Sequence, residues 1–220
     1  MKLLVATGNQ GKVVEIRHEM ERAGLVELGV EVVGLKDLPP GWVDVVEDQD
    51  TFVGNATKKA RHFAALSGLL TLADDSGLCV AALGGGPGVR SARYAGEPCD
   101  NAANNAKLLA EMAPVPDGQR QAKFVCAMAL AMPSREAGEG GGGQGIDLAV
   151  MVDEVQGEIL RALRGTQGFG YDPLFYHPAS NQTTAELSLV EKSKLSHRGK
   201  ALRRMLTWMK EHWLQIQTTT

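Results

Sequence analysis

The sequence predicts an α/β fold with a mixed β-sheet flanked by helices. In the first 80 residues short apolar segments alternate with amphipathic segments of helical period, the pattern of strands joined by helices. Two long apolar segments then follow one another, which favours adjacent strands added to that sheet. A chain of 220 residues buries roughly 70% of its unfolded surface. We therefore predict one domain over residues 1–220.

The first predicted elements are a strand, a helix and a second strand. Residues 3–6 form an apolar segment, and residues 7–12 interrupt it with two glycines and polar side chains. The helix that follows has apolar side chains on one face and ends at Gly24. Residues 30–34 predict the second strand, and the proline-containing, acidic residues 35–51 predict a loop.

The later elements are predicted from the same two signals, the hydrophobic period and the residues that end helices and strands. They are helices over 52–67 and 101–112, a strand over 69–73, an open loop over 84–88, long strands over 123–132 and 147–155, and a last helix from about His197. Residues 134–145 are dominated by glycine and predict a mobile hairpin tip. The glycine spacing over 140–145 matches a dinucleotide-binding pattern, but no strand–turn–helix surrounds it, so we interpret the match as accidental.

Composition and charge exclude several classes of protein. A net charge of −3 offers no overall attraction for nucleic acid, so no nucleic-acid partner is expected. The apolar segment near residue 1 is too short for a signal peptide, and no run of 18 apolar residues occurs, so a soluble, cytoplasmic protein without membrane contact is expected. The sequence has no CxxC spacing among its three cysteines, so we predict buried, reduced thiols at Cys79, Cys99 and Cys126.

The turn between the first strand and the first helix is a candidate phosphate site. Backbone N–H groups and the positive end of the helix dipole favour anions there, and the turn consists of Thr7, Gly8, Asn9, Gln10, Gly11 and Lys12. It is not a Walker A loop, because Val13 follows Lys12 where Ser or Thr would bind magnesium. The alternative is an ordinary turn in which Asn9 caps the helix.

Two acidic segments are candidate catalytic or metal sites. Asp74 and Asp75 follow a buried strand, and because neighbouring strand residues point to opposite faces, only one of them can face a given site. Such a carboxylate can hold Mg²⁺ or activate water, although a plain turn is the alternative. Residues 47–50 precede a helix and either cap it or bring a second carboxylate to the metal.

Two later segments could recognise a base. Residues 169–172 place two aromatic rings and a carboxylate in a glycine-containing loop, where the rings could stack on a base or simply join the core. Residues 192–198 are basic and could meet anions, although much of the basic stretch up to Arg204 is typical of a solvated helix face.

Taken together, these segments resemble the noncanonical purine nucleoside triphosphate pyrophosphatase family, whose members are also called inosine triphosphatases or Ham1-like proteins. The bacterial branch fits best, and the resemblance extends from Lys2 to about Met209. The stretches that carry it are ATGNQGK at 6–12, ADDSGL at 73–78, GGGPG at 84–88, SARY at 91–94, GFGYDP at 168–173, AEL at 185–187 and KSKLSHRG at 192–199.

The resemblance implies an activity and an architecture. It implies hydrolysis of inosine, deoxyinosine and xanthosine triphosphates (ITP, dITP and XTP) to the monophosphate and pyrophosphate, with Mg²⁺ as cofactor. This reaction would cleanse the nucleotide pool of deaminated purines. The resemblance also implies a homodimer of elongated, two-lobed subunits with the active site in a cleft between the lobes.

The resemblance also assigns roles to individual residues. It makes Asp75 the proton acceptor and, with Glu47, a metal ligand. It implies that the substrate contacts Thr7, Gly8, Asn9, Gln10, Gly11, Lys12, Lys59, Ser76, Phe169, Gly170, Tyr171, Asp172, Lys192, His197 and Arg198. We expect His197 and Arg198 to donate to the 6-keto oxygen while Phe169 or Tyr171 stacks on the ring. The alternative is that His197 only caps the last helix.

One position departs from the family pattern. Gly54 stands where the family usually has glutamate, so any metal or water must be organised by Glu47, Asp75 and, as a further candidate, Asp48. Two other functions remain open. A Maf-like pyrophosphatase should lack the Ser196–His197–Arg198 segment, and a nucleotide sensor without activity would not need the paired aspartates.

Overall fold

The computed structural model of the protein describes residues 1–25, 27, 29–134 and 145–219. The predicted hairpin tip over 134–145 and the glycine spacing within it lie almost entirely outside these residues.

The described strands form one mixed sheet, which confirms the predicted fold class. Their order is β2-β1-β3-β4-β5-β6-β7. β1 pairs in parallel with β2 and β3, whereas β6 pairs antiparallel with β5 and β7. The strands are β1 (Lys2–Val5), β2 (Glu31–Gly34), β3 (Leu70–Val80), β4 (Gln121–Met132), β5 (Ile146–Ile159), β6 (Phe175–His177) and β7 (Gln182–Thr183).

Six α-helices lie in the described ranges, and most begin and end where the sequence predicts. They are α1 (Gln10–Arg22), α2 (Phe52–Ser67), α3 (Asn101–Met112), α4 (Leu189–Leu195), α5 (His197–Glu211) and α6 (Trp213–Thr219). Thr51 caps α2 through its side chain, and Gly68 ends it with a left-handed φ of 67°. The short α4 is missing from the sequence-based prediction, although the Ser188–Glu191 capping box was a signal for it.

The chain forms two compact units. Unit 1 comprises Met1–Asp75, Ala127–Val152 and Ala201–Thr220, and unit 2 comprises Ser76–Cys126 and Asp153–Lys200. The core of unit 1 is rich in alanine, which allows α2 to approach the strands closely around Phe63. The core of unit 2 contains larger side chains, among them Phe124, Tyr171 and Phe175. The single domain over residues 1–220 stays a prediction.

Three sequence-based expectations are wrong. β3 does not end at residue 73 but continues through Asp74 and Asp75, because both buried carboxylates find polar partners there. β5 is longer than 147–155, since Glu158 and Ile159 pair with β6. Cys99 is exposed rather than buried, whereas Cys126 is buried as expected.

The described helices contain no segment that is both long and apolar enough to cross a bilayer.

Candidate active site

The turn before α1 is organised by Asn9. Its side-chain oxygen accepts from the N–H groups of Gly11 and Lys12 at 2.9 and 3.3 Å, and its own N–H donates to Thr7 Oγ1 at 3.2 Å. Asn9 therefore caps α1, and the phosphate contact of this turn stays a prediction. Two of the N–H groups that an open anion site would offer are already used, so any phosphate must meet the remaining groups of the turn and the Lys12 side chain.

Lys12 is held by Asp74 rather than extended into solvent. Its ammonium lies 2.9 Å from Asp74 Oδ2, and the Asp74 side chain is fully buried. Asp74 is absent from the predicted site residues, since the sequence indicated that only one aspartate of the pair would face the site. Its position gives it a role as the counter-ion that fixes Lys12.

Lys59 lies at the centre of the acidic residues of unit 1. It forms an ion pair with Glu47, and its Nζ donates to the main-chain oxygen of Asp74 at 3.0 Å. Burial disfavours its ammonium, but neighbouring carboxylates, Glu47 above all, outweigh this and raise the pKa of Lys59. Lys59 is therefore a fixed positive charge beside the predicted metal ligands.

Asp75 is the carboxylate that the resemblance makes the proton acceptor, and it is buried. Its Oδ2 accepts a hydrogen bond from Asn55 Nδ2 at 2.9 Å. Burial raises the pKa of Asp75, the Asn55 hydrogen bond opposes that rise, and the negative charge of Glu47 reinforces it. A carboxylate with a raised pKa is a better proton acceptor than an ordinary surface aspartate.

The donor set of unit 1 fits magnesium. No group of three or more His, Cys, Asp or Glu side chains that could hold a metal ion occurs among the described residues, so side chains of these types alone do not provide a full set of metal ligands there. Glu47 and Asp75 interact electrostatically with each other and with Lys59. Mg²⁺ characteristically takes one or two carboxylates, several waters and substrate phosphate oxygens, which is the complement that these residues provide.

Gly54 leaves room for the acidic loop. A Cβ at this position would lie 2.8 Å from Gln49 Cβ and 3.0 Å from Thr51 Oγ1, so Gln49 occupies the space that a side chain at 54 would need. Asp48, the further metal candidate, is exposed and pairs with Lys58 at 2.7 Å. Glu47, Asp74 and Asp75 are thus the carboxylates gathered around Lys59, and Asp74 is already paired with Lys12.

In unit 2 the predicted residues gather around Asp172. Its Oδ2 accepts from the Phe169 N–H at 2.8 Å and from Lys192 Nζ at 2.7 Å, and both side chains of the ion pair are buried. The Lys192 ammonium lies 4.7 Å from the centre of the Phe169 ring, and the Arg198 guanidinium carbon lies 5.5 Å from it. The loop is thereby tied to two cations through the Asp172 carboxylate and the Phe169 ring.

The backbone of this loop needs its glycines. Gly168 has a φ of 78°, and a Cβ there would collide with the Asp172 carboxylate. Gly170 has a φ of 60°, and its carbonyl accepts from Asn105 Nδ2 at 2.9 Å. These constraints hold Phe169 in place from both sides.

The two aromatic rings of the loop have different surroundings. Tyr171 lies in the core, its hydroxyl donates to the Ser91 carbonyl at 2.8 Å, and burial raises its pKa. Phe169 is only half-buried. Of the two rings considered for stacking on a base, Phe169 is therefore the one with an accessible face.

His197 lies at the start of α5 and stacks on a core ring. Its imidazole is 4.8 Å from the Phe124 ring with an interplanar angle of 14°. The capping hydrogen bond of α5 belongs to Ser196, whose Oγ accepts from the Gly199 N–H at 3.1 Å. The alternative that His197 caps the helix is therefore wrong. Ser76, the remaining predicted contact, is half-buried within β3.

A mixed-sheet α/β protein with a lysine–carboxylate cluster, and with a loop that joins an aromatic ring to cations, has the characteristics of a nucleotide-binding protein. The model of the Ham1 family matches residues 3–208. The chain belongs to the Ham1 family, which confirms the resemblance seen in the sequence and favours it over a Maf-like protein.

Relatives and solved structures agree over nearly the whole chain. A dITP/XTP pyrophosphatase from Desulforamulus reducens is 47% identical over 206 residues, covering 94% of each chain. The Ham1 protein of Staphylococcus aureus superposes with a TM-score of 0.78 at 34% identity, covering 96% of this chain and 100% of that one. A nucleoside-triphosphatase / dITP/XTP pyrophosphatase from Mycobacterium abscessus gives a TM-score of 0.70 at 42% identity, with 93% and 97% covered.

Proposed function

We propose that the protein hydrolyses ITP, dITP and XTP to the nucleoside monophosphate and pyrophosphate. Membership of the Ham1 family and similarity to dITP/XTP pyrophosphatases support this activity. The observation that carries it is the buried Asp75, with its raised pKa, beside Lys59 and Glu47. A nucleotide sensor without activity would not need a proton acceptor in that environment.

In unit 1 the cluster formed by Lys12, Glu47, Lys59, Asp74 and Asp75 acts on the phosphates. Glu47 and Asp75 would hold Mg²⁺, which when bound neutralises charge on the phosphate oxygens. Lys12 and Lys59 supply further positive charge to a group that carries about four negative charges. Asp75 takes the proton from the attacking water, and its raised pKa suits that task. The turn over residues 7–12 completes the proposed substrate contacts of unit 1, and Ser76 is a further proposed contact.

In unit 2 the cluster formed by Phe169, Asp172, Lys192, His197 and Arg198 recognises the base. The half-buried Phe169 ring stacks on the purine, and His197 and Arg198 donate hydrogen bonds to the 6-keto oxygen. A 6-amino group would instead place its N–H donors against the N–H donors of the protein. Each buried donor left unpaired in this way costs about 1–3 kcal/mol of binding free energy. Two such mismatches cost about 2–6 kcal/mol, which corresponds to roughly 30-fold to 2 × 10⁴-fold discrimination against ATP. Asp172 and Lys192 fix the loop, so Gly170 and Tyr171 contribute through backbone position rather than through an exposed ring.

The protein is further proposed to act as a cytoplasmic homodimer on small nucleotides rather than on nucleic acid. The net charge of −3 offers no overall attraction for a polyanion. The single-domain boundary over residues 1–220 belongs to the same proposal.

A substrate panel tests the function directly. Pyrophosphate release is measured for ITP, dITP, XTP, ATP and GTP with excess Mg²⁺ and again with EDTA. We expect rapid release from the first three nucleotides, much slower release from ATP and GTP, and no release with EDTA. Binding of ITP without pyrophosphate release would favour the sensor, and release of orthophosphate alone would exclude cleavage between the α- and β-phosphates.

A further inference from the structure

Asn55 connects the proposed proton acceptor to the acidic loop. It lies in the first turn of α2, and only 1% of its surface is exposed. Its Nδ2 donates to Asp75 Oδ2 at 2.9 Å, and its Oδ1 accepts from the main-chain N–H of Gln49 at 2.9 Å. One side chain thus joins β3 to the loop two residues beyond Glu47.

Chemistry fixes the orientation of this amide. The Asp75 carboxylate can only accept, so it must face the Asn55 NH₂ group, and the Gln49 N–H can only donate, so it must face the Asn55 oxygen. Leucine has nearly the same shape but provides neither interaction. Asn55 is therefore suited to its position by its two functional ends and not by its volume alone.

The local fold makes the bridge possible. Asn55 N–H donates to the Thr51 carbonyl at 3.1 Å, which places the side chain at the helix start. Gly54 leaves the space beside it to Gln49, so the loop can turn back against the first turn of α2. The Asn55 oxygen then accepts from the main-chain N–H of Gln49, the residue that occupies this space.

We propose that Asn55 is a positioning residue that sets the separation and orientation of the Glu47 and Asp75 carboxylates for a divalent cation. This inference rests on the proposed function, since it takes these carboxylates as the metal ligands. Asn55 fixes Asp75 directly and Glu47 through the loop backbone, and both ends of its amide are used in these two hydrogen bonds. Its loss should therefore weaken metal binding without removing a ligand.

Asn104 provides a matched control. It is also a buried bridging asparagine, with 2% exposed surface, and lies in α3. Its Oδ1 accepts from the Ala95 N–H at 2.7 Å, and its Nδ2 donates to the Ala92 carbonyl at 2.9 Å. Asn104→Leu removes a buried amide bridge of the same kind from a part of the chain with no proposed catalytic residue.

The test is a Mn²⁺ titration of the substrate-free protein, with free Mn²⁺ followed by electron paramagnetic resonance. Asn55→Leu should weaken Mn²⁺ binding about 10- to 100-fold, the range for residues that orient metal ligands, whereas Asn104→Leu should bind like the wild type. In pyrophosphate release, excess Mg²⁺ should restore Asn55→Leu but not Asp75→Asn. If Asn55→Leu does not fold, Asn55→Ser removes the same bridge with less apolar bulk.

Equal Mn²⁺ affinities in the Asn55 and Asn104 variants would overturn the inference, as would a wild type that binds no Mn²⁺. A wild type that binds Mn²⁺ but releases no pyrophosphate from any nucleotide would refute the proposed function instead. In that case the affinity comparison still decides whether Asn55 positions the carboxylates.

Discussion

The clusters of units 1 and 2 both contain a lysine–aspartate ion pair, but they differ in charge. Each holds a lysine against a buried aspartate, with Lys12 at 2.9 Å from Asp74 and Lys192 at 2.7 Å from Asp172. In unit 1 the carboxylates outnumber the lysines, whereas in unit 2 the cations outnumber Asp172 and lie over an aromatic ring. An acidic cluster suits a divalent cation and its phosphates, and a cationic, aromatic cluster suits a purine with a keto oxygen.

This difference implies a division of labour. Phosphates are common to every nucleoside triphosphate, so changes in the unit 1 cluster should affect all nucleotides alike. The base differs between nucleotides, so changes in the unit 2 cluster should alter the preference for one over another. Variants in each cluster therefore test this difference.

The largest effect is expected for Asp75→Asn. The amide cannot take a proton from water, so turnover should fall by at least about 10²-fold for every nucleotide, the usual scale for a general base. Steady-state kinetics of pyrophosphate release at saturating Mg²⁺ measures this. Near-normal turnover would remove Asp75 from its proposed role.

A smaller effect is expected for Lys12→Ala. The variant loses a charge that meets the phosphates, an interaction of about 1.5–3 kcal/mol, so KM should rise roughly 10- to 100-fold for each nucleotide. KM values for ITP, XTP and ATP test this, with Lys58→Ala as a control, since Lys58 is a half-buried lysine paired with Asp48 in the described contacts. An increase confined to one base would show that the turn does not bind the phosphates.

The smallest effect concerns stability. The folded protein holds the Asp75 proton more tightly than the unfolded chain, because burial raises its pKa. Ionisation of Asp75 therefore opposes folding, with no cost below the unfolded pKa and the full cost above the folded one. Without divalent cation, Asp75→Asn should melt at a higher temperature than the wild type at pH 7.

The stability difference should shrink as the pH falls toward the ordinary carboxyl range. Thermal unfolding across the pH series with EDTA measures it. A variant that melts below the wild type at neutral pH would show that the charge on Asp75 stabilises the fold.

The sequence predicted the sheet type and most helices because apolar period and glycine stops are local signals. The β1–α1 turn and the α2 boundaries illustrate this, since each is fixed by a cap or a stop within a few residues. The extension of β3 through Asp74 and Asp75 was not predictable, because it depends on partners distant in sequence such as Lys12. For the same reason the sequence missed Asn55 as part of the site, whereas Asp74 was left out because neighbouring strand residues point to opposite faces.

The most direct test of the division of labour is the ratio of kcat/KM for ITP over ATP in the wild type, His197→Ala and Lys12→Ala. His197 stacks on Phe124 and is proposed to donate to the 6-keto oxygen. Its removal should lower kcat/KM for ITP about 10-fold or more while changing that for ATP much less, which narrows the ratio. Lys12→Ala should leave the ratio unchanged. An equal loss on both nucleotides in His197→Ala would contradict the account and assign His197 to the phosphates or the fold.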